Sequence, residues 1–379
     1  MDFNNLLYLF FVSLLAVMAI VHFLYYKTAI GASKITNPNF SFVQRSYLIP
    51  FALFIVSDWL QGNEYATDIK LPYFFCILAP YLYDLYAKYG YQTQQIAIIY
   101  AAGLIASVAF GTFGQILPDY LSRCLLITLS AVVCSISAFM KLSSDYGVLI
   151  GSRILQGSAS SILFMALSAW YGTTHVDSDF PREWLTVTFT KSTYISNIMA
   201  VAAGVFGEVL SQFFGFGPVS PSIFGILPLM LGVLYVMKFW KDNKGSGQMK
   251  MSHICVEGVE ALRNDKNLFL LGCLQALVEA NVYLLIFVWT PLFKPSSLYY
   301  TNSPSLGIVF SVMMLGFAFG WLINKQLEEK NRVSPFIALS FSSQLLSLAL
   351  LAMTVVISFK LPQELILIFM VISQMAVGK

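Results

Sequence analysis

The sequence predicts an all-α polytopic membrane protein, and three observations lead to this fold class. Hydrophobic residues make up 58% of the 379 residues and charged residues only 11%, whereas soluble domains carry about 25% charged residues. The mean hydropathy of the whole chain is +0.73. The apolar residues also gather into runs of about 20, the length of helix that crosses a hydrocarbon core of about 30 Å.

Eleven apolar runs separated by polar breaks are predicted to cross the membrane as helices. The first, residues 3–26, is longer than the apolar part of a signal peptide and lacks a positively charged start, so we expect it to be retained. A first bundle has six runs, at residues 46–61, 94–116, 125–142, 146–171, 187–214 and 218–240. A second bundle has four, at residues 268–293, 305–324, 334–359 and 361–377.

These runs divide the chain into four parts. Residues 1–45 hold an extra N-terminal transmembrane helix and a cytosolic loop, and residues 46–240 hold a six-helix bundle. A charged cytosolic loop at residues 241–267 then leads to a second bundle of four helices at residues 268–379. Residues 62–91 fit this pattern badly, because their apolar run is short and contains two prolines. We expect that segment to be an outer loop lying against the bundle.

The distribution of Lys and Arg predicts the orientation of the chain. If the loop after the first helix is cytosolic, the cytosolic segments hold 15 of the 22 basic residues and the outer segments hold five. The sequon Asn39-Phe40-Ser41 then lies in the cytosol, and we expect it to carry no glycan. We expect a monomer in the plasma membrane.

Composition and motifs argue against several function classes. A net charge of +3 without a basic, aromatic-lined patch argues against nucleic-acid binding. The five cysteines are scattered and form no C-x-x-C pair, so they indicate neither a disulfide framework nor a zinc site. The sequence has no G-x-S-x-G, phosphate-loop or H-E-x-x-H motif. We therefore expect no enzyme, no cofactor and no metal site, and we expect the lipid bilayer as a partner.

Arg153 is the most informative residue inside a predicted helix, because insertion of a guanidinium at a helix centre costs about 2.5 to 3.5 kcal/mol. It must therefore face other helices or water. Gly157 and its small neighbours follow one turn later and would admit a close helix contact. With Gln156, Ser158 and Ser160 on nearby turns, Arg153 could supply the donors that an oxyanion requires. The alternative is a structural ion pair with an acid inside the membrane.

Three acids inside the predicted helices are candidates for coupling or gating. Asp58 lies near the outer end of its helix, where solvation at the membrane interface would explain it as well as a functional role. Glu208 lies among glycines and alanines, which favours either a proton-carrying role or a packed acid. Glu279 faces the same choice, and its place in the second bundle would set it across a cavity from the first.

The turn after the third predicted helix resembles the loop signature of the major facilitator superfamily, G-x-L-x-D-x-x-G-R-[RK]. Leu117, Asp119 and Arg123 fall at matching positions, while three other positions differ. Arg153 and Gln156, with the glycine that follows, resemble the superfamily's fourth-helix signature R-x-x-Q-G-x-G. The resemblance implies a major-facilitator-like fold of two bundles, and a gating role in which Asp119 and Arg123 help to latch one conformation.

A closer resemblance, over nearly the whole chain, is to the molybdate-anion transporters of that superfamily. The segments that carry it include Asp58-Trp59-Leu60-Gln61, Ala79-Pro80-Tyr81-Leu82-Tyr83, Ala169-Trp170-Tyr171, Asp179-Phe180-Pro181 and Trp289-Thr290-Pro291. The resemblance implies a secondary transporter that moves molybdate by alternating access. The residues themselves would serve any similar tetrahedral oxyanion.

Two departures from that family leave other functions open. Residues 62–78 stand between two segments that almost adjoin in the family, and the family continues through two further helices after the point where this sequence ends. We expect an insertion at residues 62–78 and an incomplete second bundle, both of them artefacts such as retained introns. The alternatives to a transporter are a receptor-like or scaffold protein with a transporter fold, or an inactive truncated product.

Overall fold

The computed structural model describes residues 3–29, 37–62, 80–243, 251–293, 305–329, 334–359 and 362–378. In chain order the helices are α1 (Phe3–Ala29), α2 (Pro38–Gln61), α3 (Pro80–Lys88), α4 (Thr93–Phe113), α5 (Leu117–Tyr120), α6 (Arg123–Met140), α7 (Tyr146–Asp177), α8 (Arg182–Glu208), α9 (Ser220–Phe224), α10 (Ile226–Phe239), α11 (Met251–Asn264), α12 (Lys266–Phe293), α13 (Leu306–Glu329), α14 (Pro335–Ser358) and α15 (Gln363–Val377). A short 3-10 turn precedes α5, and a π-helical turn extends α8.

Ten helices within the described ranges are long and apolar enough to cross a membrane, and they follow ten of the eleven predicted runs. The eleventh run forms α15, an apolar helix of 15 residues. The prediction of an all-α polytopic membrane protein is confirmed. All but the first residue of the expected insertion at 62–78 lies outside the described residues.

Besides the four-residue α5, two further helices form in segments that the sequence predicted as loops. α3 begins at Pro80, and a proline is tolerated in the first turn of a helix because its missing N–H would have no partner there. α11 lies inside the predicted loop at residues 241–267. Its apolar side chains include Val259 and Leu262, which are three residues apart instead of gathered in a run. A search for long apolar runs therefore misses it.

The chain forms two compact units. The first consists of Met1–Asn37, Tyr194–Gly215 and Trp289–Lys379, and the second of Pro38–Thr193 and Phe216–Val288. This grouping differs from the chain-order division into two bundles, which stays a prediction.

In the first unit, α1 and α15 pack against α13. The Ser305 N–H just before α13 donates to Asn4 Oδ1 over 3.2 Å, and the Ser305 hydroxyl bonds to the Tyr8 hydroxyl at 3.1 Å. Gly320 faces α15, where an added Cβ would overlap the Met375 carbonyl group. The extra N-terminal helix α1 is therefore hydrogen-bonded to the start of α13, and Gly320 lets α15 approach α13 closely.

In the second unit, α4 and α6 pack against α7. An added Cβ on Gly157 would lie 2.5 Å from the carbonyl oxygen of Gly103, so only glycine permits this crossing of α4 and α7. One turn further, the Ser107 and Ser161 hydroxyls are hydrogen-bonded at 2.9 Å. The prediction that the small residues after Arg153 admit a close helix contact is confirmed at Gly157.

Side-chain caps mark where α6 and α7 begin. The Ser122 hydroxyl accepts the N–H of Leu125 at 3.2 Å, and Asp145 Oδ1 accepts the N–H of Val148 at 3.0 Å. Only five residues separate the end of α6 from the start of α7. The last residues of α6 and the first turns of α7 therefore lie at the same end of this unit.

Candidate functional site

Arg153 lies on the third turn of α7 and only 1% of its side chain is exposed. Its Nη1 donates to the backbone carbonyl of Gly62 over 2.8 Å, and Gln156 Oε1 lies 3.5 Å from the same nitrogen. Gln156 is fully buried, and its Nε2 donates to Gln61 Oε1 at 3.2 Å. The prediction that Arg153 faces protein and not lipid is confirmed, and its described acceptors belong to the end of α2 and to α7 itself.

The geometry of the α2 terminus explains why its carbonyl groups are available to side chains. Gly62 has a φ of 74°, in the left-handed region that glycine adopts without strain, and its N–H donates to Asp58 O at 3.0 Å. The chain leaves the helix there, so the last carbonyl oxygens project beyond it. A helix C-terminus carries about half a negative charge, which favours cations beside it.

Lys141 is a second buried cation at the same helix end. It directly follows α6, its side chain is fully buried, and Nζ donates to the carbonyl oxygen of Gln61 over 2.7 Å. Its own carbonyl oxygen accepts from the Tyr89 hydroxyl at 2.8 Å, and burial raises the pKa of Tyr89 above its usual value. The sequence analysis counted Lys141 only among the basic residues of the outer side, at the end of the run 125–142, because no residue near it in the sequence indicates that α2 ends against it.

Asp58 lies one turn before this terminus and is 96% buried. Ser160 Oγ donates to Asp58 Oδ1 over 2.9 Å. The two residues line a cavity of about 10 Å³ together with Ser57, Gln61 and Cys134 and with apolar side chains of α2, α7 and α10. A cavity of this volume has room for about one water molecule. A tetrahedral oxyanion does not fit into it.

Two residues of α4 shape the space around the Arg153 side chain. An added Cβ on Gly103 would lie 3.2 Å from Arg153 Nε and 3.3 Å from Nη2, so the guanidinium would have to shift by a few tenths of an ångström to admit it. The Arg153 guanidinium carbon also lies 5.7 Å from the centre of the Tyr100 ring, within the range of a cation–π contact. Neither residue was predicted, because both depend on the crossing of α4 and α7.

Ser158 does not join this group. Its side chain is half-buried, and its hydroxyl donates to the carbonyl of Leu155 at 3.0 Å. In a helix, a residue two positions from both Gln156 and Ser160 is rotated by about 200° from each, so Ser158 lies on another face of α7. The structure brings Arg153, Gln156 and Ser160 to one face and leaves Ser158 out.

Asp119 and Arg123 lie at the opposite end of α6 from Lys141, about 27 Å away along an 18-residue helix. Asp119 Oδ1 lies 3.7 Å from Arg123 Nη2, and Arg123 is 97% buried. Arg123 Nη1 donates to Thr173 Oγ1 at 2.6 Å and to Asn243 Oδ1 at 3.0 Å. Through Arg123, the residues of the loop signature connect the start of α6 to the end of α7 and to the segment after α10. They form a polar cluster separate from the one around Arg153.

The two remaining acids are half-buried, and each accepts a hydrogen bond. Glu208 Oε2 accepts the N–H of Gly307 at 2.9 Å, in the first turn of α13, where a negative charge is favoured. Glu279 Oε1 accepts from Gln275 Nε2 at 2.5 Å, one turn away on α12. Glu279 belongs to the same compact unit as Arg153. No group of three or more His, Cys, Asp or Glu among the described residues is placed to hold a metal ion.

Residues 6–372 match the family model described as sugar transporters with 12 TM segments. The chain is similar to the molybdate-anion transporter of Xenopus laevis, with 34% identity over 371 residues that cover 96% of this chain and 77% of the relative. It is 35% identical to the molybdate-anion transporter of Danio rerio over 309 residues, which cover 74% of this chain and 59% of that one.

Two solved transporters have a similar fold. The nucleoside transporter NupG is 13% identical with a TM-score of 0.61, and the match covers 89% of this chain and 79% of NupG. The xylose transporter XylE from E. coli is 9% identical with a TM-score of 0.56, and the match covers 89% of this chain and 79% of XylE. At these identities the likeness extends to the fold alone.

Proposed function

Because this chain belongs to the molybdate-anion transporter family of the major facilitator superfamily, we propose that it carries molybdate, or a similar tetrahedral oxyanion, across the plasma membrane by alternating access. The protein is a multi-pass integral membrane protein with a transporter fold. We propose that it acts without catalysing a reaction and without a cofactor.

The observation that carries the proposal is the buried guanidinium of Arg153. Transfer of a dianion out of water is costly unless charged or polar donors replace its hydration. A guanidinium is always charged and presents a planar fork of donors that suits two oxygens of one anion. Gln156 and Ser160 lie on the same face of α7 and add an amide and a hydroxyl. We propose these three residues as the substrate-binding set.

Alternating access requires contacts that break and re-form. The described contacts of Arg153 and Gln156 to Gly62 and Gln61 join α2 to α7, and substrate would replace the acceptors that α2 now supplies. We propose that these contacts close the site at the end of α2.

We propose separate roles for the acids. Asp58 is the coupling candidate, because it is buried beside a one-water cavity and shares Ser160 with the proposed binding set. Asp119 and Arg123 are the gating pair at the opposite end of α6. Glu208 and Glu279 stay weaker coupling candidates, since neither lines the cavity beside Asp58.

The test is uptake of radiolabelled molybdate by proteoliposomes that contain the purified chain. We expect uptake by the native protein, loss of most of it in Arg153→Gln, and native uptake in Arg182→Gln, a control because Arg182 is exposed at the start of α8. Equal uptake by the two variants would remove Arg153 from the site. If molybdate raises the unfolding temperature but is not taken up, the protein is a receptor-like member of the family.

A further inference from the structure

α11 is an amphipathic helix between two helices that cross the membrane. α10 ends at Phe239 and α12 begins at Lys266, so the residues between them lie on one face of the membrane. The 14 residues of α11 form a helix about 21 Å long. The charged residues Glu257, Glu260 and Arg263 within it would be costly inside the hydrocarbon core. α11 is therefore a segment of that one face and not a further span.

Asp265 joins α11 to α12. Its N–H donates to the carbonyl oxygen of Ala261 at 3.0 Å and closes the last turn of α11. Its Oδ1 accepts the N–H groups of Asn267 and Leu268 at 2.9 and 3.3 Å, which are the hydrogen bonds of an N-cap. An N-cap residue lies outside the helical conformation. α11 and α12 are therefore two helices, and α11 ends only one residue before a helix that enters the membrane.

One side of α11 is apolar and exposed. Val256, Val259 and Leu262 follow each other at intervals of three residues, so each is rotated by about 60° from the one before. Their exposed fractions are 61%, 65% and 43%. Glu257 and Glu260 are each rotated by about 100° or more from both Val259 and Leu262. The acids of α11 are therefore turned away from the side that carries Val259 and Leu262.

The apolar phase nearest to this side is the membrane. The first turn of α12 exposes the apolar residues 268–271, with exposed fractions of 41% to 53%, and lipid is the apolar phase that a membrane-crossing helix offers them. Only the five polar residues 263–267 separate them from Leu262. Arg263 is rotated by about 40° from Val259, and a long basic side chain in that position reaches lipid headgroups while its stem follows the apolar surface. The exposed apolar side of α11 thus continues along the chain into the lipid-facing surface of α12.

We propose that α11 lies along the membrane interface, with Val259 and Leu262 among the lipid acyl chains. Glu257 and Glu260 then face water. An interfacial helix binds through the apolar area that it buries and through attraction of its basic residues to anionic lipids. The two acids oppose that attraction, so the apolar side supplies the binding and a zwitterionic phosphatidylcholine bilayer is sufficient. α11 then anchors the connection between α10 and α12 at the surface where α12 enters the membrane.

The experiment places a nitroxide label at single positions of the full chain in phosphatidylcholine proteoliposomes. The five cysteines are replaced by serine, and the labelled variants are Val259→Cys, Leu262→Cys, Glu257→Cys and Glu260→Cys. Electron paramagnetic resonance measures how often the label collides with oxygen, which concentrates in lipid, and with a water-soluble nickel chelate. Leu271→Cys is the lipid control, because Leu271 is an exposed apolar residue of a membrane-crossing helix.

We expect the ratio of oxygen to nickel collisions at residues 259 and 262 to approach that at residue 271 and to exceed that at residues 257 and 260 several-fold. Frequent nickel collisions at all four positions of α11 would place the helix in water. Rare collisions with both reagents at residues 259 and 262 would show that protein covers this side, and either result overturns the inference. If the chain without cysteines does not fold, Cys134 is retained, because only 3% of its side chain is exposed and the label does not reach it.

Discussion

The crossing of α4 and α7 offers a direct test of the helix packing that positions Arg153. Gly157 lies one turn after Arg153, and an added Cβ would meet the carbonyl oxygen of Gly103 at 2.5 Å. The carbonyl belongs to a helix backbone and cannot rotate away. Gly157→Ala therefore forces α4 and α7 apart. Gly172 lies on the same helix with no atom within 4 Å of an added Cβ, so Gly172→Ala is the matched control.

The expected magnitude follows from two opposing effects. Replacing glycine by alanine inside a helix stabilises it by roughly 0.5–1 kcal/mol, and both variants gain this amount. Forcing extra volume into a packed contact costs about 1–3 kcal/mol, and only Gly157→Ala bears this cost. Because the helix gain is common to both, the two variants should differ by about 1–3 kcal/mol, with Gly157→Ala the less stable.

The assay is thermal unfolding of both purified variants and the native protein in the same detergent. We expect Gly157→Ala to unfold at least about 2 °C below Gly172→Ala, and Gly172→Ala to unfold at or above the native temperature. An equal or higher midpoint for Gly157→Ala would mean that α4 and α7 do not cross at this distance.

Two further predictions concern other contacts. Gly320→Ala should lower the unfolding midpoint, because its Cβ would overlap the Met375 carbonyl where α13 packs against α15. The control is Gly272→Ala on α12, which should leave the midpoint unchanged because no atom lies within 4 Å of its added Cβ. Equal midpoints for the two variants would contradict this packing. Asn243→Ala removes an acceptor at 3.0 Å from the Arg123 guanidinium and should cost about 1.5–3 kcal/mol at most, read as a lower midpoint than that of the native protein. An unchanged midpoint would show that this contact contributes nothing.

Hydropathy predicted the transmembrane helices because each of them is a long apolar run, and this signal is local. Hydropathy did not predict α11, because its apolar residues, such as Val259 and Leu262, are spaced about one turn apart and form no continuous run. It also ended α7 at residue 171, whereas the helix continues to Asp177 with polar residues in its last turn. Polar helix ends are stabilised by contacts with other segments, which apolar runs do not reveal.

The candidate site was predicted only in part. Arg153 and Asp58 stood out because ionised groups are costly inside a membrane, and that reasoning needs no partner. Ser158 was included although its angular position on the helix separates it from Gln156 and Ser160. Lys141 was missed for a different reason, since its burial depends on the end of α2, 80 residues earlier in the chain. A lysine that directly follows an apolar helix is usually read as an anchor at the interface.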